Sequence, residues 1–306
     1  MKQKTIRIGT RDSELALWQA RTVQSRLERF GFSCKLVPVK STGDLELDTP
    51  LYEMGITGIF TKTLDIALLN NTIDIAVHSM KDVPTALPKG IVEAAILPRA
   101  SSKDILIHKG INFLVNKNDG IIATGSLRRK AQWLHKYPHH TICDLRGNIN
   151  TRMQKLKTHD WNAAIFAEAG LERINIKPDN FLSLDWMIPA PAQGAMLVVA
   201  REKDFHLFEA CSRLNDINTQ ICVKIEREFL RVLEGGCSAP IGALAVIDDG
   251  IIHFKGNIVS IDGSQKVDIE TKIHINNAEE FGKRCAFEIL EKGGDTLMNQ
   301  IKEASN

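Results

Sequence analysis

The sequence predicts an α/β fold with two similar α/β domains that flank a cleft, followed by a small C-terminal α+β domain with an antiparallel sheet. Strand and helix signals alternate along the first ninety residues, and the alternation starts again after a hinge expected near residues 99–102. Such alternation is typical of mostly parallel sheets that helices cover on both faces. From residue 219 onward hairpin signals replace the alternation, which predicts the antiparallel third domain.

The predicted elements of the first unit are a strand over 5–9, a helix over 13–30, a strand over 34–39, a helix over 60–69 and a strand over 73–77. The helix over 13–30 has apolar residues at helical spacing, and Asp12 or Ser13 can cap its first turn. Residues 41–57 form a polar, glycine-containing segment before the second helix. A connection of that length is usually functional or mobile.

The predicted elements of the second unit are strands over 121–123, 141–145 and 163–167 and helices over 126–134 and 148–156. Those of the third domain are helices over 219–233 and 278–290 and strands over 243–247, 251–254 and 267–275. Asp249-Gly250 and Asp262-Gly263 are hairpin signals between these strands. Gly293 and Gly294 are expected to lie past the end of the last helix.

The composition excludes several classes of protein. The 306 residues are 43% hydrophobic and 25% charged, and no run approaches the roughly 18 apolar residues that a membrane span needs. The first residues carry no apolar signal core, which predicts a cytoplasmic protein. The six cysteines are scattered, so we expect no disulfide framework and no metal site, and His139-His140 is predicted to be a surface loop.

Basic and small polar residues follow four predicted strands, at the strand ends where open α/β sheets bind ligands. They are Arg11 and Ser13, then Lys81 and Asp82, then Thr124, Ser126, Arg128 and Arg129, and finally Arg146, Gly147, Asn148 and Arg152. A single arginine near a helix start is usually solvated surface, but four successive junctions favour a cleft that binds several carboxylates or phosphates. Residues 126–157 also hold eight Lys/Arg against one acid, Asp144, which again predicts an anionic ligand.

Asp82 and Cys237 differ from this basic set. Asp82 either forms a plain ion pair with Lys81 or an arginine, or supplies a fixed negative charge that stabilises positive charge as it develops. Cys237 follows the glycines that end a helix and lies outside any periodic apolar face. We therefore interpret it as an attachment point, whereas Cys222 and Cys285 lie on such faces and are predicted to be structural.

Three other functions fit parts of this pattern. A non-catalytic anion sensor could use the same cleft but has no need for Asp82 or for the Cys237 loop. Nucleic-acid binding through residues 126–157 would call for interleaved aromatics and a strong salt dependence, and Trp133 and Tyr137 are the only aromatics there. A cysteine hydrolase would need a histidine partner for Cys237, which could be adjacent only in space.

These stretches together resemble the porphobilinogen deaminase family over almost the whole chain. The matching motifs are Arg11-x-Ser13 with residues 15–20, Thr42-Gly43-Asp44, residues 78–84, residues 125–129, residues 145–148 with Thr151-Arg152, Ala169-Gly170-Leu171 with Arg173, Gln193-Gly194-Ala195, and residues 233–237. Each motif alone is weak, but the set in this order and spacing is specific.

The resemblance implies three domains, two of them similar to the halves of a type II periplasmic binding protein, with the chain crossing between them twice. The expected boundaries are 1–99 with 194–216 for the first domain, 100–193 for the second and 217–306 for the third. It also implies a dipyrromethane cofactor joined to Cys237, and the condensation of four porphobilinogen molecules, with loss of ammonia, into a linear tetrapyrrole, hydroxymethylbilane. The partner is thus a small molecule, with no nucleic acid and no membrane, and a monomer is expected.

The resemblance also assigns roles to residues. The expected catalytic residues are Asp82, Lys81, Arg11 and Phe60. The expected cofactor ligands are Cys237, Ser13, Lys81, Asp82, Thr124, Ser126, Arg128, Arg129, Arg146, Gly147, Arg152 and Gln193. The expected substrate ligands are Arg11, Ser13, Arg146, Asn148, Arg152, Arg173 and Ala169. Residues 41–57 would be a lid over the cleft.

Four positions depart from the family's commonest pattern: Glu14, Thr57, Thr63 and Ala192. Thr57 removes a positive charge from the expected lid. Ala192 stands where glycine is frequent, which predicts a backbone conformation without positive φ. None of the four touches Asp82, Cys237 or the arginines, so we expect an active enzyme.

Overall fold

The computed structural model describes residues 5–39, 61–115, 119–233 and 239–304. Up to residue 201 its elements are β1 (Ile6–Thr10), α1 (Glu14–Arg29), β2 (Cys34–Pro38), α2 (Lys62–Leu69), β3 (Ile75–Ser79), β4 (Ile91–Ile96), β5 (Asp104–His108), α3 (Asn112–Val115), β6 (Ile121–Ala123), α4 (Leu127–Lys136), β7 (Thr141–Cys143), α5 (Ile149–Thr158), β8 (Ala163–Ala167), α6 (Glu168–Arg173), β9 (Phe181–Ser183) and β10 (Met196–Arg201). The remaining elements are α7 (Phe205–Ser212), α8 (Ile217–Val232), β11 (Ile241–Asp248), β12 (Ile251–Val259), β13 (Lys266–His274), α9 (Phe281–Ile289) and α10 (Asp295–Ala304).

The first two sheets share one topology. Their strand orders are β2-β1-β3-β10-β4 and β7-β6-β8-β5-β9. In each sheet four strands run in one direction, and one strand that follows a crossing from the other sheet, β10 or β5, runs antiparallel to both of its neighbours. The predicted α/β fold class, with two sheets of one topology, is confirmed.

The expectation of mostly parallel sheets holds for strand direction, since four of the five strands in each sheet run the same way. Half of the pairings are nevertheless antiparallel, because the reversed strand, β10 or β5, lies inside the sheet and not at its edge. The strands of the two sheets lie at 6–96 with 196–201 and at 104–183; the domain boundaries themselves stay a prediction.

The third sheet is an antiparallel meander of β11, β12 and β13. Both predicted hairpin turns are confirmed: Asp249 and Gly250 have positive φ, as does Gly263, which is the conformation that such turns require. Helices α8 and α9 pack on this sheet through Phe229, Phe254 and other apolar residues, including Cys222 and Cys285. The structural role predicted for those two cysteines is confirmed by their burial.

The last helix does not end the chain as predicted. Gly293 does leave helical geometry, with φ of 100°, but a wide turn over Leu290–Gly294 leads into a further helix, α10. Leu297, Met298 and Ile301 are buried in the core of the third domain. Their spacing places all three side chains on one face of α10, and burial of this apolar face stabilises the helix. This burial outweighs the tendency of the two glycines to end the helical segment.

Two local predictions are also wrong. His140 is buried rather than in a surface loop, because its Nδ1 accepts a hydrogen bond from Trp133 Nε1 (3.1 Å) and its ring stacks on Tyr137. Ala192 has φ of 61°, so this position does adopt the left-handed conformation that favours glycine.

The two segments that cross between the sheets are held by one buried carboxylate on α8. Glu226 forms a bidentate ion pair with Arg99 (2.6 and 3.2 Å) and accepts the backbone N–H groups of Ala192 (2.6 Å) and Ala245 (2.8 Å). Arg99 Nε donates to Gln193 O at 2.8 Å. Helix α8 therefore holds both crossings in place. Among the described helices, none is long and apolar enough to cross a membrane.

Candidate active site

The predicted site residues of the first sheet lie at the carboxyl ends of β1 and β3. Arg11 and Ser13 follow β1, and Ser13 caps α1 by accepting the N–H of Ala16. Lys81 and Asp82 lie in a short 3₁₀ turn, Met80–Asp82, that follows β3 directly. Because β1 and β3 are adjacent and parallel, their ends meet at one edge of the sheet.

The second sheet places its residues in the same way, after β6 and β7. Thr124 is buried at the end of β6, and Ser126 caps α4 by accepting the N–H of Arg129. Asn148 caps α5 by accepting the N–H of Thr151 at 2.9 Å. Gly147 has φ of 108°, and a Cβ there would meet the Thr151 side chain at 2.7 Å, so this turn requires glycine.

Lys81 connects the two edges. Its Nζ donates to Gln193 Oε1 at 3.2 Å. Burial lowers the pKa of Lys81 to about 8; the charges of Arg129 and Arg128 act in the same direction, while Asp82 and Asp104 oppose it. A lysine of the first sheet therefore lies against charged groups of the second.

Arg152 lies in the same group of charges. Burial lowers the pKa of its guanidinium to about 10, helped by the positive charges of Arg129 and Arg146 and opposed by Asp82. Its Nε donates to Gly147 O at 2.8 Å. Arg146 is buried, and burial also lowers its pKa. The structure thus brings Lys81, Asp82 and the arginines of α4 and α5 together, with cations in excess.

Arg128 and Arg129 are bound to a carboxylate of the protein itself. Asp104 Oδ2 pairs with Arg128 Nη1 at 2.8 Å, and Asp104 Oδ1 accepts from Arg129 Nη2 (2.7 Å) and Nε (3.1 Å). Arg129 Nη1 donates to Ile165 O at 2.9 Å. Among the described residues, buried Arg128 Nε has no hydrogen-bond partner. Its N–H is therefore unsatisfied within the described part of the chain.

Arg11 and Arg173 occupy the flanks of this group. The charge of Arg11 contributes, after burial, to a pKa of about 4 for His78 on β3, so Arg11 lies near His78. Arg173 is buried, donates to Gly194 O at 2.6 Å and has its guanidinium 5.8 Å from the Trp18 ring. Its contacts brace α6, on which buried Ala169 also lies, against the return crossing and α1.

The structure describes Glu14 and Thr63, two of the positions that depart from the family pattern, but not Thr57. Glu14 accepts a hydrogen bond from Asn150 Nδ2 (2.6 Å), which joins α1 of the first sheet to α5 of the second. Thr63 lies on α2. Thr57, the 41–57 segment, Phe60 and Cys237 lie outside the described residues, and their predicted roles stay predictions.

The sequence interpretation missed Asp104, Arg99 and Glu226. Asp104 starts β5 directly after the first crossing and is fully buried. The signal that could have identified Asp104 is its position directly before the apolar run 105–107, which indicates a buried strand. A buried acid needs cationic partners.

Comparison with known proteins agrees with this arrangement. Residues 6–209 match the family model described as porphobilinogen deaminase, dipyromethane cofactor binding domain, and residues 220–291 match porphobilinogen deaminase, C-terminal domain. The chain is 39% identical to the porphobilinogen deaminase of Chlorobium phaeobacteroides, over 99% of each chain. It is 40% identical to that of Bacillus velezensis, over 98% of this chain and 97% of the relative.

Among solved structures, a periplasmic substrate-binding protein from Coxiella burnetii has 16% sequence identity and a TM-score of 0.44, covering 68% of this chain and 91% of its own. The family models and the full-length relatives together establish the family: this chain belongs to the porphobilinogen deaminases, transferases whose larger matched region is a dipyrromethane cofactor binding domain.

Proposed function

We propose that this chain condenses four porphobilinogen molecules head to tail, with loss of ammonia, and then releases hydroxymethylbilane by hydrolysis. The observation that carries the proposal is the excess of cations around Asp82, where the partly buried Lys81 and Arg152 both have lowered pKa values because of burial and of other cations nearby. Each porphobilinogen carries an acetate and a propionate, so a growing chain of pyrroles is a polyanion. Anionic ligands relieve the repulsion among buried cations.

The residues of the cleft fit a dipyrromethane, which carries four carboxylates and two pyrrole N–H groups. Arg128 Nε is buried without a partner among the described residues, and a carboxylate oxygen would satisfy it. Arg146 and Arg152 would hold further carboxylates, and Thr124 and Ser126 lie at the same strand end. Bound through a thioether to Cys237, the cofactor would supply the pyrrole carbon to which the first unit is joined.

Asp82 would act on the reacting groups. A carboxylate among arginines accepts pyrrole N–H groups and stabilises the positive charge that develops as ammonia leaves. Lys81, with a pKa of about 8, is largely protonated at neutral pH and would pair with a substrate carboxylate. Arg11, Ser13, Asn148 and Arg173 would take the remaining substrate contacts, and Phe60 would pack on a pyrrole ring.

The chain would act as a monomer in the cytoplasm on this freely diffusing substrate. Each of the three guanidinium nitrogens of Arg129 donates a hydrogen bond to a group of the protein, so its contribution to ligand binding would come mainly through its charge.

The intact mass of the purified protein tests cofactor attachment. We expect wild type to carry the added mass of two linked pyrrole units, and Cys237→Ala to lack it. Cys143→Ala is the matched control, because Cys143 is half-buried at the end of β7 and should leave the added mass in place. If the wild type carries no added mass after incubation with porphobilinogen and releases no tetrapyrrole, the proposal is wrong.

Asp82→Asn tests the catalytic role separately. The substitution removes the charge with little change in shape, so we expect the protein still to fold, with a lower free energy of unfolding because Asp82 no longer offsets Lys81 and Arg152. We expect kcat to fall by about 100-fold or more, the usual cost of losing transition-state electrostatics. A near-normal kcat would remove Asp82 from the mechanism.

A further inference from the structure

Asp104 is a fully buried carboxylate that is not among the expected catalytic, cofactor-binding or substrate-binding residues. It is the first residue of β5, at the end of the first crossing between the sheets. Its two oxygens receive Arg128, Arg129 and the Gln193 amide. Three separate parts of the chain therefore meet at one carboxylate: β5, α4 and the return crossing.

Asp104 orients the side-chain amide of Gln193, whose oxygen accepts a hydrogen bond from Lys81. Gln193 Nε2 donates to Asp104 Oδ1 at 3.0 Å and to Ser102 O at 2.8 Å, and Gln193 Oε1 accepts from Lys81 Nζ at 3.2 Å. A side-chain amide donates only through its nitrogen and accepts only through its oxygen. Because acceptors hold the nitrogen, the oxygen must face Lys81.

The charge of Asp104 also reaches Lys81 directly. The charged groups that face Lys81 are Asp82 on its own turn, Asp104 on β5, and Arg128 and Arg129 on α4. Burial and both arginines favour the neutral amine, whereas the two carboxylates favour the ammonium ion. Removing Asp104 would leave one carboxylate against two arginines.

We propose that Asp104 is a positioning residue of the active site, which orients Gln193 and the α4 arginines and places beside Lys81 the negative charge that keeps it an ammonium ion. The proposal rests on the proposed function, because Lys81 needs its charge only to pair with an anionic ligand. A merely structural Asp104 would hold α4 to β5 without affecting the protonation of Lys81.

Asp74 offers a matched control. It is a second buried carboxylate with two arginine partners, Arg7 (2.8 Å) and Arg201 (3.3 Å). It precedes β3, so it lies at the opposite end of that strand from Lys81. Asp74→Asn should therefore destabilise the protein, as Asp104→Asn should, but leave the titration of Lys81 unchanged.

The test is the titration of Lys81 by NMR in ¹³C-methylated protein, with the resonance assigned by its loss in Lys81→Arg. Wild type should titrate at a pKa of about 8. In Asp104→Asn we expect the midpoint to fall by on the order of one pH unit, the usual effect of losing a nearby opposite charge, with the same displacement in the high-pH limb of kcat/KM. A midpoint equal to that of wild type, or an equal displacement in Asp74→Asn, would overturn the proposal.

A double variant covers a failure of Asp104→Asn to fold. Asp104→Asn/Arg128→Gln removes one buried cation together with the buried anion, so the net charge of the group stays the same as in wild type. Asp104 acts on Lys81 more strongly than Arg128 does, so the midpoint should still lie below that of wild type, and an unchanged midpoint would again contradict the proposal. The titration needs no turnover: a wild-type protein inactive on porphobilinogen would refute the proposed function alone.

Discussion

Two arginine pairs from one basic stretch of sequence end in different electrostatic environments. Arg128 and Arg129, on α4, are bound to the buried carboxylate of Asp104. Arg146 and Arg152 lie before and on α5. The charges of Arg129 and Arg146 disfavour the charge of Arg152 and that of Asp82 favours it, while Asp144 favours the charge of Arg146. The α4 pair is therefore bound directly to a buried anion, whereas Arg152 of the α5 pair lies among cations that disfavour its charge, which an anionic ligand can balance.

The difference separates support from recognition. A buried ion pair is costly to break, because removing one partner leaves an uncompensated charge in a medium of low dielectric constant. Buried cations without a bound anion instead lower the free energy of unfolding of the ligand-free protein. An anionic ligand raises it again when it binds. Substitutions in the two pairs should consequently have opposite effects on stability.

The largest expected effect is on stability, in Arg129→Leu. The substitution removes three hydrogen bonds to Asp104 and Ile165 and leaves Asp104 with one arginine. We expect the free energy of unfolding to fall by about 3 kcal/mol, the low end for breaking a buried pair. Urea unfolding measures it, and a loss below about 1 kcal/mol would remove the distinction between the two pairs.

Arg152→Gln should show the reverse pattern. Because neighbouring cations disfavour the charge of Arg152, the cofactor-free protein should be as stable as wild type or more stable. Losing a hydrogen-bonded cation at a carboxylate costs about 1.5–3 kcal/mol, so we expect KM for porphobilinogen to rise by roughly ten- to a hundredfold. Lys155→Gln, on the same helix, is the control and should change neither quantity.

The sequence predicted most of the strands and helices that carry the site, because their signals are local. Ser13, Ser126 and Asn148 all cap the helices for which they were expected. Strands β4, β5, β9 and β10 were not predicted. In Met196–Arg201 five of six residues are buried, so this strand, central in the first sheet, shows no alternation of apolar and polar residues.

The partners of the arginines could not be predicted from local sequence. Nothing in the sequence of residues 126–157 distinguishes Arg128 and Arg129 from Arg146 and Arg152. The acid that binds only the first two, Asp104, lies 24 residues before Arg128. The two meet only because β5 crosses into the second sheet and lies antiparallel beside β8. Such pairing depends on topology, whereas capping and helical spacing depend on neighbours along the chain.

A smaller effect concerns the pH dependence of stability. The pKa of Lys81 in the folded protein, about 8, lies below its ordinary value of 10.5. Between these values the unfolded chain binds more protons than the folded chain, so the free energy of unfolding of the cofactor-free protein should rise with pH across this window. Urea unfolding at pH 7.5, 9 and 10.5 should show a smaller rise in Lys81→Gln; equal rises would mean that Lys81 is not perturbed. These three values are about the limits and centre of the window.

The smallest effect concerns the contact between α1 and the α5 region. Asn150 Nδ2 donates to Glu14 Oε2 on the surface, two residues before Arg152. An exposed hydrogen bond contributes about 0.5–1 kcal/mol at most, so Glu14→Ala should change KM by less than about fivefold. A double-mutant cycle with Asn150→Ala isolates the pair, and a coupling free energy of about 0.5 kcal/mol is expected. A coupling of zero would mean that the α5 arginines are positioned by α5 and its own turn, without help from the first domain, and would sharpen the contrast with the α4 pair, which is held from β5.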